Sequence, residues 1–199
     1  MKSKTPKMKN IIVALALVLA GTNYSEAQNT DFRIFNWGDP IQKVKSEEKA
    51  RFYAAKNGDE LMYDDKLGGS KFKVLFIFNE NNKLISGTYI FAKEYSNTEL
   101  YYQDYSVFLK LLKEKYGNPT NEKETWNTVD PLYDKANKRQ AISDKNLNLY
   151  AVWDTERTTI KITLISIGNE VPSMQIHYTA SVLNDFKSQI DLKEALDKL

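Results

Sequence analysis

The first feature of the chain is an unbroken apolar run from Ile11 to Ala20 behind Lys2, Lys4, Lys7 and Lys9, followed by the small-residue stretch Ser25-Glu26-Ala27. A basic start, a short apolar segment and an A-x-A-like site together predict a secretory signal peptide over residues 1–27, cleaved after Ala27 to leave Gln28 at the new terminus. The run is about half the roughly 20 residues that a membrane-crossing helix needs, so no membrane insertion is expected once it is removed. A lipid anchor is not expected either, because Thr22 stands where Leu19-Ala20-Gly21 would require a cysteine.

Beyond residue 28 the hydrophobic pattern alternates between periods of about two and about 3.6. Phe32 to Gly38 reads as a short β-rich stretch. Asp39, Pro40 and Gln42 then suit the cap, first turn and box position of a helix carrying Ile41, Val44 and Phe52 and ending near Ala50. Leu61-Met62-Tyr63 precedes two strands, Phe72 to Phe78 and Leu84 to Phe91, separated by Asn79 to Lys83. Gly68-Gly69-Ser70-Lys71 lacks the spacing of a phosphate-binding loop and fits a turn into this hairpin. From Asn97 to Tyr116, Tyr101, Tyr105, Phe108, Leu109, Leu112 and Tyr116 form one helical stripe. Ser96 and Glu99 predict a capping box, Tyr95 and Leu100 a staple, and Gly117 with Pro119 a stop. Thr125-Trp126-Asn127 is a short strand candidate. Residues 128–146 are polar, with Asp130-Pro131 able to open a brief helix. Leu147 to Asp154 and Thr158 to Ile167 give a second hairpin, and Ser173 to Thr179 a last strand. Residues 181–199 are helical in composition, with Asp191 and Glu194 as a cap. The expected class is α+β, an antiparallel sheet with helices on one face. Residues 28–180 form a single domain, with possible repeats 32–95 and 96–180 of the form α-β-β-β.

Charge enters the picture only after the signal peptide is set aside. The whole chain has 28 Lys and Arg against 26 Asp and Glu; the signal peptide takes four lysines and one glutamate, leaving 24 against 25 and a net charge near −1. Nothing supports a nucleic-acid footprint, which needs clustered excess Lys and Arg. With no cysteine, disulfides, thiolate metal sites and cysteine nucleophiles are excluded. His177 is the only histidine. It alternates with apolar neighbours in Met174 to Thr179, which predicts a solvent-facing strand residue rather than a catalytic base. No G-x-S-x-G elbow accompanies it, and a typical zinc site needs further ligands. No metal and no cofactor is expected. Asp59, Glu60, Asp64 and Asp65 cluster around Gly58 without the spacing of a Ca²⁺ loop, which favours a solvated turn. A glycosidase could use distant carboxylates such as Glu80 and Asp154, but no spacing singles them out.

Trp37-Gly38, Val44, Tyr63, Lys115-Tyr116-Gly117-Asn118-Pro119, Trp126, Trp153 to Ile160 and Ile176-His177-Tyr178 together make a pattern spanning nearly the whole mature chain. It resembles a family of uncharacterised bacterial secreted proteins. More distantly it is similar to the tandem helix-plus-sheet modules of the beta-lactamase inhibitor protein and of small outer-membrane assembly lipoproteins. The resemblance implies an α+β fold and no activity, since the cysteines of those proteins are missing here and fold does not give function.

Tyrosine and tryptophan exceed what a sheet core needs, and binding surfaces favour them. Most of these rings are expected in the core. Tyr102, off the helical stripe, and Tyr150, between Leu149 and Ala151, are the expected exposed pair and the candidate binding residues. The sequence therefore points to an exported, non-catalytic binding or accessory protein of the periplasm or extracellular space, holding an unidentified protein or glycan. The alternative is a carboxylate-dependent hydrolase such as a glycan-active enzyme.

Overall fold

The structure, a computed structural model, describes residues 30–127, 137–166 and 172–181. The predicted signal peptide, the Asp130-Pro131 segment and the tail from 182 onward lie outside the described residues. The elements run α1 (Ile41–Glu47), β1 (Arg51–Lys56), β2 (Glu60–Leu67), β3 (Ser70–Phe78), β4 (Leu84–Phe91), α2 (Glu99–Tyr116), β5 (Asn121–Trp126), α3 (Lys138–Ser143), β6 (Leu147–Asp154), β7 (Thr158–Ile165) and β8 (Ser173–Ala180). The strands form one sheet in the order β1-β2-β3-β4-β8-β7-β6-β5, and each neighbouring pair is antiparallel. The α+β class expected from the sequence is the class observed. The first four strands follow α1 and the last four follow α2, and the two runs meet where β4 pairs with β8.

Period-2 alternation sets which face is buried. Val74, Phe76 and Phe78 on β3, Ile160, Ile162 and Leu164 on β7, and Met174, Ile176 and Tyr178 on β8 all point inward and are buried. They join the inward side chains of α1, α2 and α3 in a single cluster that spans both halves of the sheet. Each large side chain in it contributes about 1.5–3 kcal/mol by leaving water. Helix α2 supplies Tyr101, Tyr105, Phe108 and Leu112. Phe108 meets Phe72 edge-on with ring centroids 5.4 Å apart.

The turns follow from residue chemistry. Gly68 and Gly69, both with positive φ (57° and 83°), close β2 onto β3 in the manner of a type I′ turn. Asn57 and Gly58 (54° and 84°) likewise turn β1 back onto β2. That turn reveals β1, which was not anticipated. Helix α1 therefore stops at Glu47, and Phe52 lies exposed on an edge strand against Tyr63 instead of on a helix. The Asp39 cap is absent as well. Pro40 occupies the cap position, while the Asp39 carboxylate takes the Asn36 N–H and the Lys43 ammonium, both at 3.0 Å.

At α2 the capping box gives way to Thr98 at the cap position, with Asn97 Oδ1 accepting the Glu99 N–H at 3.0 Å. Helix α3 lies in the polar 128–146 segment, later than the Asp130-Pro131 start considered for a helix there, and Asn137 Oδ1 caps it by accepting the Gln140 N–H at 3.1 Å. The Phe32 to Gly38 stretch is a tight turn closed by reciprocal Phe32–Phe35 backbone bonds of 3.0 Å, and not a strand of the sheet. It tucks Phe32 and Phe35 into the core and places Arg33 at φ 57°.

Candidate functional site

Helices cover one face of the sheet, and the register defines the other. Facing outward are Met62, Leu75, Ile77 and Ile90 from the first run, and Tyr150, Val152, Thr163 and Gln175 from the second. These side chains are half-buried by their neighbours within the sheet. The same parity places Arg51, Lys56, Lys66, Lys71, Lys73, Lys123 and Lys161 on this face, against Glu60, Asp64 and Asp154. Seven cations oppose three carboxylates there, whereas the remaining described residues carry thirteen cations and fifteen carboxylates. Among the described residues, the face that no helix covers is thus the positive side.

At its centre sits His177, on the outward face that its alternation predicts but half-buried there. Thr88 Oγ1 lies 2.6 Å from Nδ1 and Ser86 Oγ 3.4 Å from Nε2. Burial, helped by the Lys161 ammonium, pushes the imidazole pKa below its ordinary value and favours the neutral ring. This is not a hydrolytic constellation. Ser86 is buried and donates its proton to the Tyr178 carbonyl at 3.0 Å, and a threonine hydroxyl stands where a triad has a carboxylate.

Carboxylates are distributed in the same spirit. Asp64 pairs with Arg51 and with Lys73, the latter at 2.5 Å. Asp65 takes Arg33 Nη2 at 2.6 Å. These two, read as part of a solvated turn, are residues of β2 neutralised by cations. Glu80 sits in the β3–β4 turn, and Asp154 accepts from Thr120 and Thr159, both at 2.9 Å. Among the described residues no three His, Asp or Glu side chains converge where a metal ion could sit.

Beneath the sheet, Arg33 Nε lies 2.9 Å from Glu48 Oε2, whose side chain is only 2 % exposed. That oxygen has no well-aligned hydrogen bond, so the contact is mainly Coulombic. The Arg33 guanidinium also lies 5.9 Å from the centroid of the Tyr89 ring, whose phenol pKa is raised by burial despite the nearby cation.

The two tryptophans Trp37 and Trp153 bond to other residues of the same sequence pattern. Trp37 Nε1–H donates to Thr158 Oγ1 at 2.9 Å, and Trp153 Nε1–H to the Gly117 carbonyl at 2.9 Å. Burial, with the Tyr116 phenol close by, holds the Tyr178 pKa well above its ordinary value. Asp31, whose side chain is 4 % exposed, accepts two bonds from Arg157 (2.8 and 2.6 Å) and one from the Trp37 N–H (2.8 Å). Burial alone would raise the Asp31 pKa; Arg157 and the Trp37 N–H together hold it below the usual carboxylate value. The pattern that carried the family resemblance is therefore a set of long-range anchors.

Tyr102 and Tyr150 both border a small cleft of about 90 Å³ between α2 and β5. Their rings do not share a surface, however. Tyr102 packs partly against the core, while Tyr150 projects from the uncovered face with Lys161 Nζ 5.2 Å from its centroid. The signal that would have found this surface is the alternation of lysines with buried residues in β3 and β7.

No family model and no curated protein matches the chain. Among solved structures, a DUF4309 family protein (YjgB) from Bacillus subtilis subsp. subtilis is similar at 12 % identity, covering 72 % of this chain and 79 % of that one, with a TM-score of 0.38. A likeness that distant carries no argument about function. No described helix is long and apolar enough to cross a membrane.

Proposed function

We propose that this chain is an exported, non-catalytic recognition module that holds an acidic protein partner against the uncovered face of its sheet. The observation that carries the reading is the charge division just described, seven cations against three carboxylates on the one face that no described helix covers. Complementary charge accelerates encounter and fixes register more than it adds affinity. The affinity would come from the half-buried aliphatic side chains at the centre, Met62, Leu75, Ile77, Ile90 and Val152. Eight strands about 4.8 Å apart, each about 27 Å long, make a face of roughly 1,000 Å². A standard protein interface takes about 800 Å² from each partner. A protein suits the face better than a glycan, because among the described residues only Tyr53 and Tyr150 bring phenol rings there, and they stand with lysines over their rings instead of lining a groove.

A preorganised sheet lowers the ordering cost of association. The test pairs capture from the envelope or culture fluid of the producing organism with a hydrolase panel on glycan, peptide and ester substrates. A captured acidic protein released by salt, with no turnover, is the expected result. Turnover abolished by replacing one carboxylate would establish the hydrolase reading instead.

A further inference from the structure

A second feature of the uncovered face lies at the β2–β3 hairpin, where four of its seven cations meet. A cleft of about 400 Å³ opens beside the Gly68-Gly69 turn, lined by Arg51, Lys66, Lys71 and Lys73 together with Asp64 and Asp65. The two carboxylates are already in use. Asp64 Oδ1 takes Lys73 Nζ at 2.5 Å and Oδ2 takes Arg51; Asp65 Oδ2 takes Arg33 at 2.6 Å and Oδ1 accepts the Lys66 backbone N–H at 2.7 Å. All four oxygens have donors, so neither acid is left to neutralise another cation.

Lys66 and Lys71 are the consequence. They stand directly opposite each other across the β2–β3 ladder, and among the described residues neither ammonium has a carboxylate within ion-pair distance. Like charges facing each other on adjacent strands repel and weaken the pair. The three charged terminal oxygens of a phosphate-type dianion match two or three ammonium groups well, and the dianion would convert the repulsion into a bridge. Tyr53 borders the same cleft, its ring held by Lys73 Nζ 3.1 Å from the centroid, and offers an apolar wall to whatever the oxyanion is attached to.

We propose that this cleft binds a doubly charged oxyanion of the phosphate class, with Lys66 and Lys71 as its principal ligands and Arg51 and Lys73 held by Asp64 at its rim. The anion is either free phosphate or the terminal group of a phosphomonoester. Charge count selects the dianion over chloride or a simple carboxylate, because two unneutralised ammonium groups face the cleft.

The test uses the mature chain, with inorganic phosphate and glycerol phosphate titrated calorimetrically and by thermal melting against sodium chloride of equal ionic strength. Phosphate is expected to raise the melting temperature above the chloride control by mass action. Lys66→Gln with Lys71→Gln should weaken phosphate binding at least tenfold, and in phosphate-free buffer should melt at the same temperature as the parent or higher. Lys66→Glu, which places an acid opposite Lys71, should raise the melting temperature and abolish the phosphate response. Equal affinity for the two ligands identifies free phosphate as the occupant, and tighter glycerol phosphate identifies a monoester contacting Tyr53. Absence of a phosphate-specific shift in the parent, or an undiminished shift in the lysine variants, overturns the site. The two readings share this face but fail separately, since the phosphate response is read with Lys66 and Lys71 and partner affinity with Lys123 and Lys161.

Discussion

Gly87 lies on the inward face of β4 opposite Tyr178, and the ring of Phe32 packs flat against its backbone. A Cβ placed there would sit 2.1 Å from Phe32 Cδ1, 2.3 Å from Cε1 and 2.4 Å from Cγ. Ordinary carbon contacts begin near 3.5 Å, so the ring would have to move by more than about 1 Å. It has nowhere to go. Phe32 is 1 % exposed and wedged among Phe76, Tyr89 and Tyr178 at centroid distances of 5.3, 5.2 and 5.3 Å.

Two effects of Gly87→Ala compete. Reduced freedom of the unfolded chain favours alanine by about 0.5–1 kcal/mol, while overpacking a tight core costs about 1–3 kcal/mol and sometimes more. With three rings fixed around the site the clash should win, leaving Gly87→Ala less stable by about 2–3 kcal/mol. For a domain of this size each kcal/mol lowers the melting temperature by about 2–4 °C, so the loss should be about 4–12 °C.

A double-mutant cycle separates this from a generic strand effect. Phe32→Ala alone should cost about 3–5 kcal/mol by opening a cavity, and the methyl of Gly87→Ala would then occupy part of it. The double variant should therefore be more stable than additivity predicts, by at least about 1 kcal/mol. Chemical denaturation of the four proteins supplies the numbers. A neutral Gly87→Ala, or strict additivity, would refute the packing argument.

Three further outcomes follow from the anchors and the buried charges. Trp37→Phe and Thr158→Val should each destabilise by about 1 kcal/mol, and the double variant by little more than either, since one hydrogen bond is shared; full additivity in urea melts would show that the bond contributes nothing. Arg33→Met strands the Glu48 carboxylate beneath the sheet and should cost about 3–5 kcal/mol, with Glu48→Gln added to it recovering part of the loss; a cost below about 1 kcal/mol would mean that Glu48 reaches water. For His177 the fold favours the neutral ring, so the unfolded chain takes up the proton first. Stability should be full above about pH 6.5 and fall as pH drops from there towards the lowered folded pKa. His177→Gln should flatten that slope, and an unchanged slope would assign the pH dependence elsewhere.

Long periodic elements were legible in the sequence for a physical reason: α2 and strands β3, β4, β6, β7 and β8 each bury one side, and burial imposes a period. Strand β1 was not, because at the sheet edge its burial is low throughout and its residues Arg51 to Lys56 carry no alternation. The Asn57-Gly58 pair was the available clue. The caps of α1 and α2 were misplaced by one or two positions: the Asp39 carboxylate is taken up by the Asn36 N–H and Lys43, and at α2 the Asn97 side chain takes the Glu99 N–H. Of the candidate site, Tyr102 and Tyr150 are both half-buried instead of exposed, with Tyr102 against the core, and the charge division was not visible. It depends on which strands are neighbours, and a half-buried His177 depends on Ser86 and Thr88, about 90 residues away in sequence. Trp37 and Arg157 were visible as a pattern, yet their partners Thr158 and Asp31 emerge only once the chain is folded.

The central claim is that the uncovered, positive face of the sheet is the recognition surface. It is tested most directly by measuring the affinity of the captured partner for Lys123→Glu with Lys161→Glu, two changes on that face, against Lys110→Glu on the outer surface of α2. The account predicts at least a tenfold loss for the sheet-face variant, a steep salt dependence in the parent, and no more than a twofold change for the helix variant. Equal losses in both variants, or affinity that ignores the sheet-face charges, would contradict it.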